Sequence, residues 1–202
     1  MTEQPEMRHA VEIEDFFSRV LAVIGRTTDK EVAHLLRSRR LTLATAESVT
    51  GGLLAGRLTA TPGSSDYFIG GVVCYSNRIK VMELGIPAAL IAEHGAVSPE
   101  VAVAMAEGIC KRFRVGVGLA TTGVAGPGVP AGTTPPKPIG TVYVAVSSRE
   151  GKEVKELNLK GTRREIRDKA VQGALGLLWL HLGGEEAREK AERGGVVQEA
   201  DL

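Results

Sequence analysis

LATAESVTGG, residues 43–52, runs a short apolar segment into small polar residues and two glycines, and LATTGVAGPG, residues 119–128, repeats the pattern later in the chain. A brief apolar run bounded by polar residues reads as a buried strand, and each run here delivers the chain into a turn. LTLATA (41–46) is the first strand, and the Thr50-Gly51-Gly52 turn opens a helix through LLAGRLTA, which completes a βα unit. Beyond the TPGSSD loop, YFIGGVVCY is a second strand, followed by a short helix capped by Ser76-Asn77 and ended by Gly85 and Pro87. AVSPEVAVAMAEGICKRF has Ser98 at the N-cap, Pro99 at the first helical position and Glu100 in the first turn, the clearest helix start in the chain. VGVGLATT is a third strand, a Gly/Pro loop spans Gly123 to Pro138, and IGTVYVAVSS with KEVKELNLK predicts a hairpin about Arg149-Glu150-Gly151. Residues 163–182 form a last amphipathic helix. Helices before, between and after the strands predict a three-layer α/β/α sandwich with a mixed β-sheet.

The flanks differ in character. Residues 9–26 set Val11, Ile13, Phe16, Phe17, Val20, Leu21 and Ile24 on one helical face, and DKEVAHLLRSRR is a second helix. Residues 1–30 are therefore expected as an N-terminal helical extension, residues 31–182 as the main domain, and residues 183–202, charged and glycine-punctuated, as a flexible or loosely helical tail. The 202 residues are 43% hydrophobic, enough for one sizeable core. Lys+Arg 25 against Asp+Glu 24 gives a formal charge of +1, which builds no field for nucleic acid or an anionic membrane. The N-terminus lacks a signal-peptide pattern and no run of about 18 apolar residues occurs, so a cytoplasmic location is expected. Cys74 and Cys110 have no CxxC spacing and read as buried structural thiols.

In α/β sheets ligands collect beyond the carboxyl ends of the strands, where both glycine turns fall. Ser48 can serve there as a helix cap, as part of an anion site with the N–H groups of Val49 to Gly52, or as a nucleophile. The four histidines lie on helices or in peripheral segments, so a Ser-His-Asp arrangement is not expected. Lys80, in CYSNRIK, stands one turn after the cap at the end of the second strand and can share a site with Tyr75 and Ser76. It acts as a base only if burial depresses its pKa, and is otherwise a solvated surface lysine. TTGVAGPG is compatible with a binding loop or a structural turn, and fits neither common phosphate-binding glycine motif. Arg163, Arg164 and Arg167 open the last helix, where cations oppose its dipole unless an anion, ligand or carboxylate compensates; a phosphate partner and a solvated face both remain open.

AESVTGG, TPGSSDYFIGGVVCYSNRIKVMELGI, EHGAVSPEVAVAMAEG, TTGVAGPG, KPIGTVYVAV and GTRREIR, in this order, resemble the CinA C-terminal domain family, the nicotinamide-nucleotide amidases, over roughly residues 30–182. The resemblance implies hydrolysis of the carboxamide of nicotinamide mononucleotide to nicotinic acid mononucleotide and ammonia, without cofactor or metal, by a homodimer or higher homo-oligomer. It puts the nucleophile on Ser48 and the base on Lys80, with Tyr75 beside them. Substrate binding then falls on Thr50, Gly51, Gly52, Thr122, Gly123, Ala125, Gly126, Gly128 and, for the phosphate, Arg163. Val49 stands where cysteine is common, Thr162 replaces the usual aspartate, and Val129-Pro130-Ala131 adjoins a usual run of glycines. With only about 30 residues before the match, the resemblance suggests the stand-alone form. The alternative reading is a non-catalytic pyridine-nucleotide-binding or competence-associated protein.

Overall fold

A computed structural model describes residues 28–127 and 137–194; the helix expected over 9–26, Gly128 and the 129–136 loop lie outside the described residues. The chain runs α1 (Thr28–Ser38), β1 (Leu43–Glu47), α2 (Leu53–Thr59), a 3-10 turn (Ser64–Asp66), β2 (Phe68–Val73), α3 (Asn77–Leu84), α4 (Ala88–His94) and α5 (Pro99–Phe113). It continues through β3 (Val117–Gly123), β4 (Thr141–Ser148), β5 (Gly151–Asn158) and α6 (Arg163–Gly194). The five strands form one sheet in the order β2-β1-β3-β4-β5. β1 is parallel to β2 and β3, whereas β4 is antiparallel to both β3 and β5, which is the expected mixed sheet.

Helices cover both faces. Leu43, Leu119, Val142, Val144 and Val146 pack with α1, α2 and α6 on one side. Ala44, Ala46, Ala120, Tyr143 and Ala145 pack with α3, α4 and α5 on the other. Burial on both sides explains why β1 and β3 read as near-continuous apolar runs rather than alternating ones. Gly118 lets α5 lie close on β3: a Cβ there would fall 2.7 Å from the Cys110 sulfur and 2.9 Å from Ile109.

The helix starts follow the sequence signals. The Ser98 hydroxyl accepts the Val101 N–H ahead of Pro99, and the Ser76 hydroxyl accepts that of Ile79. Two elements differ from expectation. The chain between Pro87 and Gly95 forms the extra short helix α4. Helix also continues beyond residue 182, broken only at Gly184 (φ 57, ψ −138), so residues 185–194 of the segment expected as a tail are helical, with Ala187 and Ala191 buried. Among the described residues no helix is long and apolar enough to cross a membrane.

The β1–α2–β2 connection passes over one face and the α3–α5 connection from β2 to β3 over the other. The chain thus departs to opposite faces at the carboxyl ends of β1 and β2, which opens a crevice between them. Gly118→Ala should lower stability by about 1–3 kcal/mol, read as a reduced urea midpoint at unchanged slope, because the Ala106 backbone carbonyl of α5, not only the two side chains, opposes the added methyl group.

Candidate active site

Glu47, the last residue of β1, turns a carboxylate under the loop that follows, and only 1% of the residue is exposed. Its Oε2 accepts from the Thr50 hydroxyl at 2.7 Å and from the N–H groups of Gly52 and Leu54 at 2.8 and 3.0 Å; Oε1 accepts from Ala55 N–H at 2.8 Å. Donors that would otherwise be left at the start of α2 are satisfied from below. Gly51 (φ 59) and Gly52 (φ 96) take the left-handed conformations this turn requires. The Thr50 and Thr121 hydroxyls lie 2.7 Å apart, and Ser48 N–H donates to the Thr121 carbonyl, so the turn is fastened to β3. From outside, Arg167 of α6 donates to the carbonyls of Val49 (3.2 Å) and Thr50 (2.7 Å).

Across the crevice, Cys74 N–H donates to the Glu47 carbonyl, and the chain passes through Tyr75 to the Ser76 cap of α3. One turn into that helix Lys80 is 1% exposed. Its Nζ donates to the Cys74 carbonyl at 2.9 Å and to Ser48 Oγ at 3.3 Å. Among the described residues no carboxylate pairs with it. Burial holds the Lys80 amine below its ordinary pKa. Burial likewise pushes the Cys74 thiol up to about 11, so at neutral pH no thiolate keeps the lysine charged.

The third wall comes from β3 and the loop after it. The Thr122 hydroxyl donates to the Ala96 carbonyl at 2.7 Å, which joins β3 to the segment before α5. Arg163 donates to the Tyr75 hydroxyl at 3.1 Å and passes over Gly126, where a Cβ would come within 3.2 Å of its Nη1. Together these walls enclose about 280 Å³.

Of the residues singled out from the sequence, Ser48, Tyr75, Lys80, Thr122, Gly123, Ala125, Gly126 and Arg163 line this one cavity. Thr50, Gly51 and Gly52 lie behind it: the Thr50 hydroxyl is engaged by Glu47 and Thr121, and Gly52 N–H belongs to Glu47. The N–H groups still without an acceptor among the described residues are those of Val49, Thr50 and Gly51, so Gly52 drops out of the expected anion-binding set. The basic start of α6 meets a carboxylate of its own, because Thr162 and Glu165 cap one another: Thr162 N–H and hydroxyl donate to Glu165, and Glu165 N–H donates back to the Thr162 hydroxyl. That carboxylate offsets the helix dipole which the cations oppose, Arg164 lies 3.9 Å from Asp168, and Arg167 is occupied by the turn carbonyls.

Sequence reasoning missed Glu47, and also Ala96, Val97 and Val124 on the cavity wall, while Arg167, read as a phosphate partner or a solvated cation, instead holds the first turn. A single acidic residue closing an apolar strand was the available signal for Glu47. No histidine lines the cavity that holds Ser48. Far from this cavity, the structure does join a serine, a histidine and a carboxylate: Ser148, His181 and Glu153. Cys74 is a buried free thiol, as read from its surroundings, whereas the free thiol of Cys110 is only half-buried.

Residues 26–182 match the family model of the CinA C-terminal domain. A putative competence-damage inducible protein of Moorella thermoacetica is 47% identical over 156 residues, 77% of this chain and 37% of its own length. A CinA-like protein of Gemmatimonas aurantiaca is 52% identical over 151 residues, 73% of this chain and 35% of its own length. The chain therefore spans little more than a third of the curated relatives it matches. Among solved structures, the competence damage-inducible protein A (ComA) from Klebsiella pneumoniae superposes with a TM-score of 0.73 at 34% identity, covering 78% of this chain and 96% of that one. The competence/damage inducible protein CihA from Agrobacterium tumefaciens gives 0.68 at 35% identity, over 82% and 96%.

Two outcomes follow from the buried charges. Glu47→Gln puts an NH2 group against backbone N–H donors, and urea titration should show a loss of about 1–3 kcal/mol. Lys80 binds a proton less readily folded than unfolded, so its contribution to stability increases with pH between the lowered folded pKa and 10.5. Relative to Lys80→Met, the native protein should therefore gain stability from pH 7 to 10, at up to about 1.4 kcal/mol per pH unit inside that window. A difference independent of pH would mean that the amine is not shifted.

Proposed function

The chain belongs to the CinA C-terminal domain family, and from that membership and its cleft we propose that it is an amidohydrolase that converts nicotinamide mononucleotide to nicotinic acid mononucleotide and ammonia. The observation that carries this reading is the hydrogen bond from a buried lysine without a carboxylate partner to a serine at the mouth of a parallel-strand crevice. A neutral Lys80 takes the Ser48 proton as Oγ attacks the carboxamide carbon. The Val49 N–H, on the cavity wall and without an acceptor among the described residues, is the donor free to face the tetrahedral oxyanion. Collapse breaks the C–N bond, the leaving nitrogen takes the proton from Lys80, and ammonia departs from an acyl-enzyme. Water, deprotonated by the same amine, then attacks the ester and restores Ser48. The cationic pyridinium ring makes this carbonyl more electrophilic than that of an ordinary amide.

The rest of the cavity suits such a substrate. Small residues from Gly123 to Gly126 let a ribose approach the backbone, and Arg163, anchored on Tyr75, offers its guanidinium to the phosphate. Assembly as a homo-oligomer and action within the cytoplasm belong to the same reading.

Ammonia release from nicotinamide mononucleotide by the purified protein, measured beside Ser48→Ala and Lys80→Ala, tests it. The native protein alone should turn over, with kcat/KM rising with pH through the depressed lysine pKa and levelling off below 10.5. Nucleotide bound without ammonia release would make the cleft a binding module instead. Arg163→Ala should raise KM for the mononucleotide about 10- to 100-fold, in line with a charged hydrogen bond, and leave the riboside unaffected. Equal losses on both substrates would remove the phosphate role from Arg163.

A further inference from the structure

β4 runs opposite to β1 and β3, so its last residue, Ser148, pairs with Val117 and lies at the end of the sheet where Leu43 begins β1, the end away from Ser48. There the Ser148 hydroxyl is 2.7 Å from His181 Nε2, and His181 Nδ1 is 2.7 Å from Glu153 Oε1. The carboxylate can only accept, so Nδ1 carries the ring proton of the neutral imidazole and Nε2 is left as an acceptor for the Ser148 proton. The histidine side chain is 3% exposed and therefore held in place, whereas Ser148 is half-buried and borders an open cavity of about 520 Å³.

The same cavity carries Arg40, Arg114 and Arg149, and its one carboxylate, Glu150, is paired with Arg39. Among the described residues none of the three has an ion-pair partner. Arg40 (φ 52) and Arg114 (φ 55) are also the two non-glycine residues with positive φ among the described residues. Both follow helices, where glycine would be the relaxed choice. Two arginines thus occupy strained positions around one pocket, beside a serine hydrogen-bonded to a histidine.

We propose that Ser148, His181 and Glu153 form a second nucleophilic site that takes an acyl group from a small anionic ester. Ser148 Oγ bonds to the carbonyl carbon while its proton passes to His181 Nε2, and Glu153 holds Nδ1–H throughout. Collapse breaks the ester C–O bond, and the departing alkoxide takes the proton from Nε2. Water, losing a proton to Nε2, then attacks the acyl-serine, releases the carboxylate and regenerates the Ser148 hydroxyl. The guanidinium groups on the cavity wall supply the positive field that selects an anionic acyl group.

The test uses the Ser48→Ala protein, which removes the first nucleophile, with the mono-4-nitrophenyl ester of glutaric acid as probe. Nitrophenolate release should be accompanied by a glutaryl group on the peptide holding Ser148, located by mass spectrometry. Adding Ser148→Ala should abolish that label and slow release about tenfold or more. Arg40→Gly suits its positive φ and so leaves folding out of question; it should raise KM for the anionic ester and not for 4-nitrophenyl acetate. Absence of the label from Ser148 in the Ser48→Ala protein, or the same KM change for both esters, overturns the proposal.

Discussion

The carboxylate of Glu47 lies beneath the turn it supports and accepts from two hydroxyls, those of Thr45 and Thr50, and three backbone N–H groups. A buried carboxylate is costly unless its lone pairs are met, and here the donors are the ones that the start of α2 would otherwise leave unpaired. One interaction therefore solves two problems. It also sets the path of residues 48–52, and with it the position of the Ser48 hydroxyl. The Thr50–Thr121 contact and the Arg167 bonds act on a turn whose course Glu47 has already determined.

Lys80 is the opposite case. It too is buried at the carboxyl end of a strand, yet its partners are a neutral carbonyl and a hydroxyl. An acid given every donor it needs holds the fold, whereas an amine denied a counter-charge is a source of reactivity. Glu47 ends β1 and Lys80 lies on the helix that follows the neighbouring β2, and the Cys74 N–H bond to the Glu47 carbonyl ties the two segments, so both groups share a frame.

Most of this architecture was legible because local signals agreed with it. Apolar runs marked β1 and β3, the Ser76 and Ser98 caps marked α3 and α5, and a two-residue turn joined β4 to β5. Ser48 and Lys80 stood out locally only as possibilities, and it was the family pattern that ranked them. Side chains whose role depends on distant partners stayed hidden. Arg167 reads as a surface cation until α6 is laid against the first turn. Ser148, Glu153 and His181 come from three elements, and no sequence spacing announces their meeting. The short α4 has no side-chain cap, so nothing local marked its start.

Strand order also governs the sequence of assembly. β4 and β5 meet across Arg149 and Glu150, a closure of the shortest kind, and the bonds from the α2 backbone to Glu47 span at most eight positions. The Ser48–Lys80 contact must bridge 32 positions and the Thr50–Thr121 contact 71. Because loop-closure entropy is lost before a distant contact returns anything, the hairpin and the Glu47 loop form early and the insertion of β1 between β2 and β3 comes late. By the same measure the Arg167 bonds to the first turn, 117 and 118 positions apart, close later still; the cleft is thus completed late, and until β1 is seated its flanking strands present open edges to any neighbouring chain.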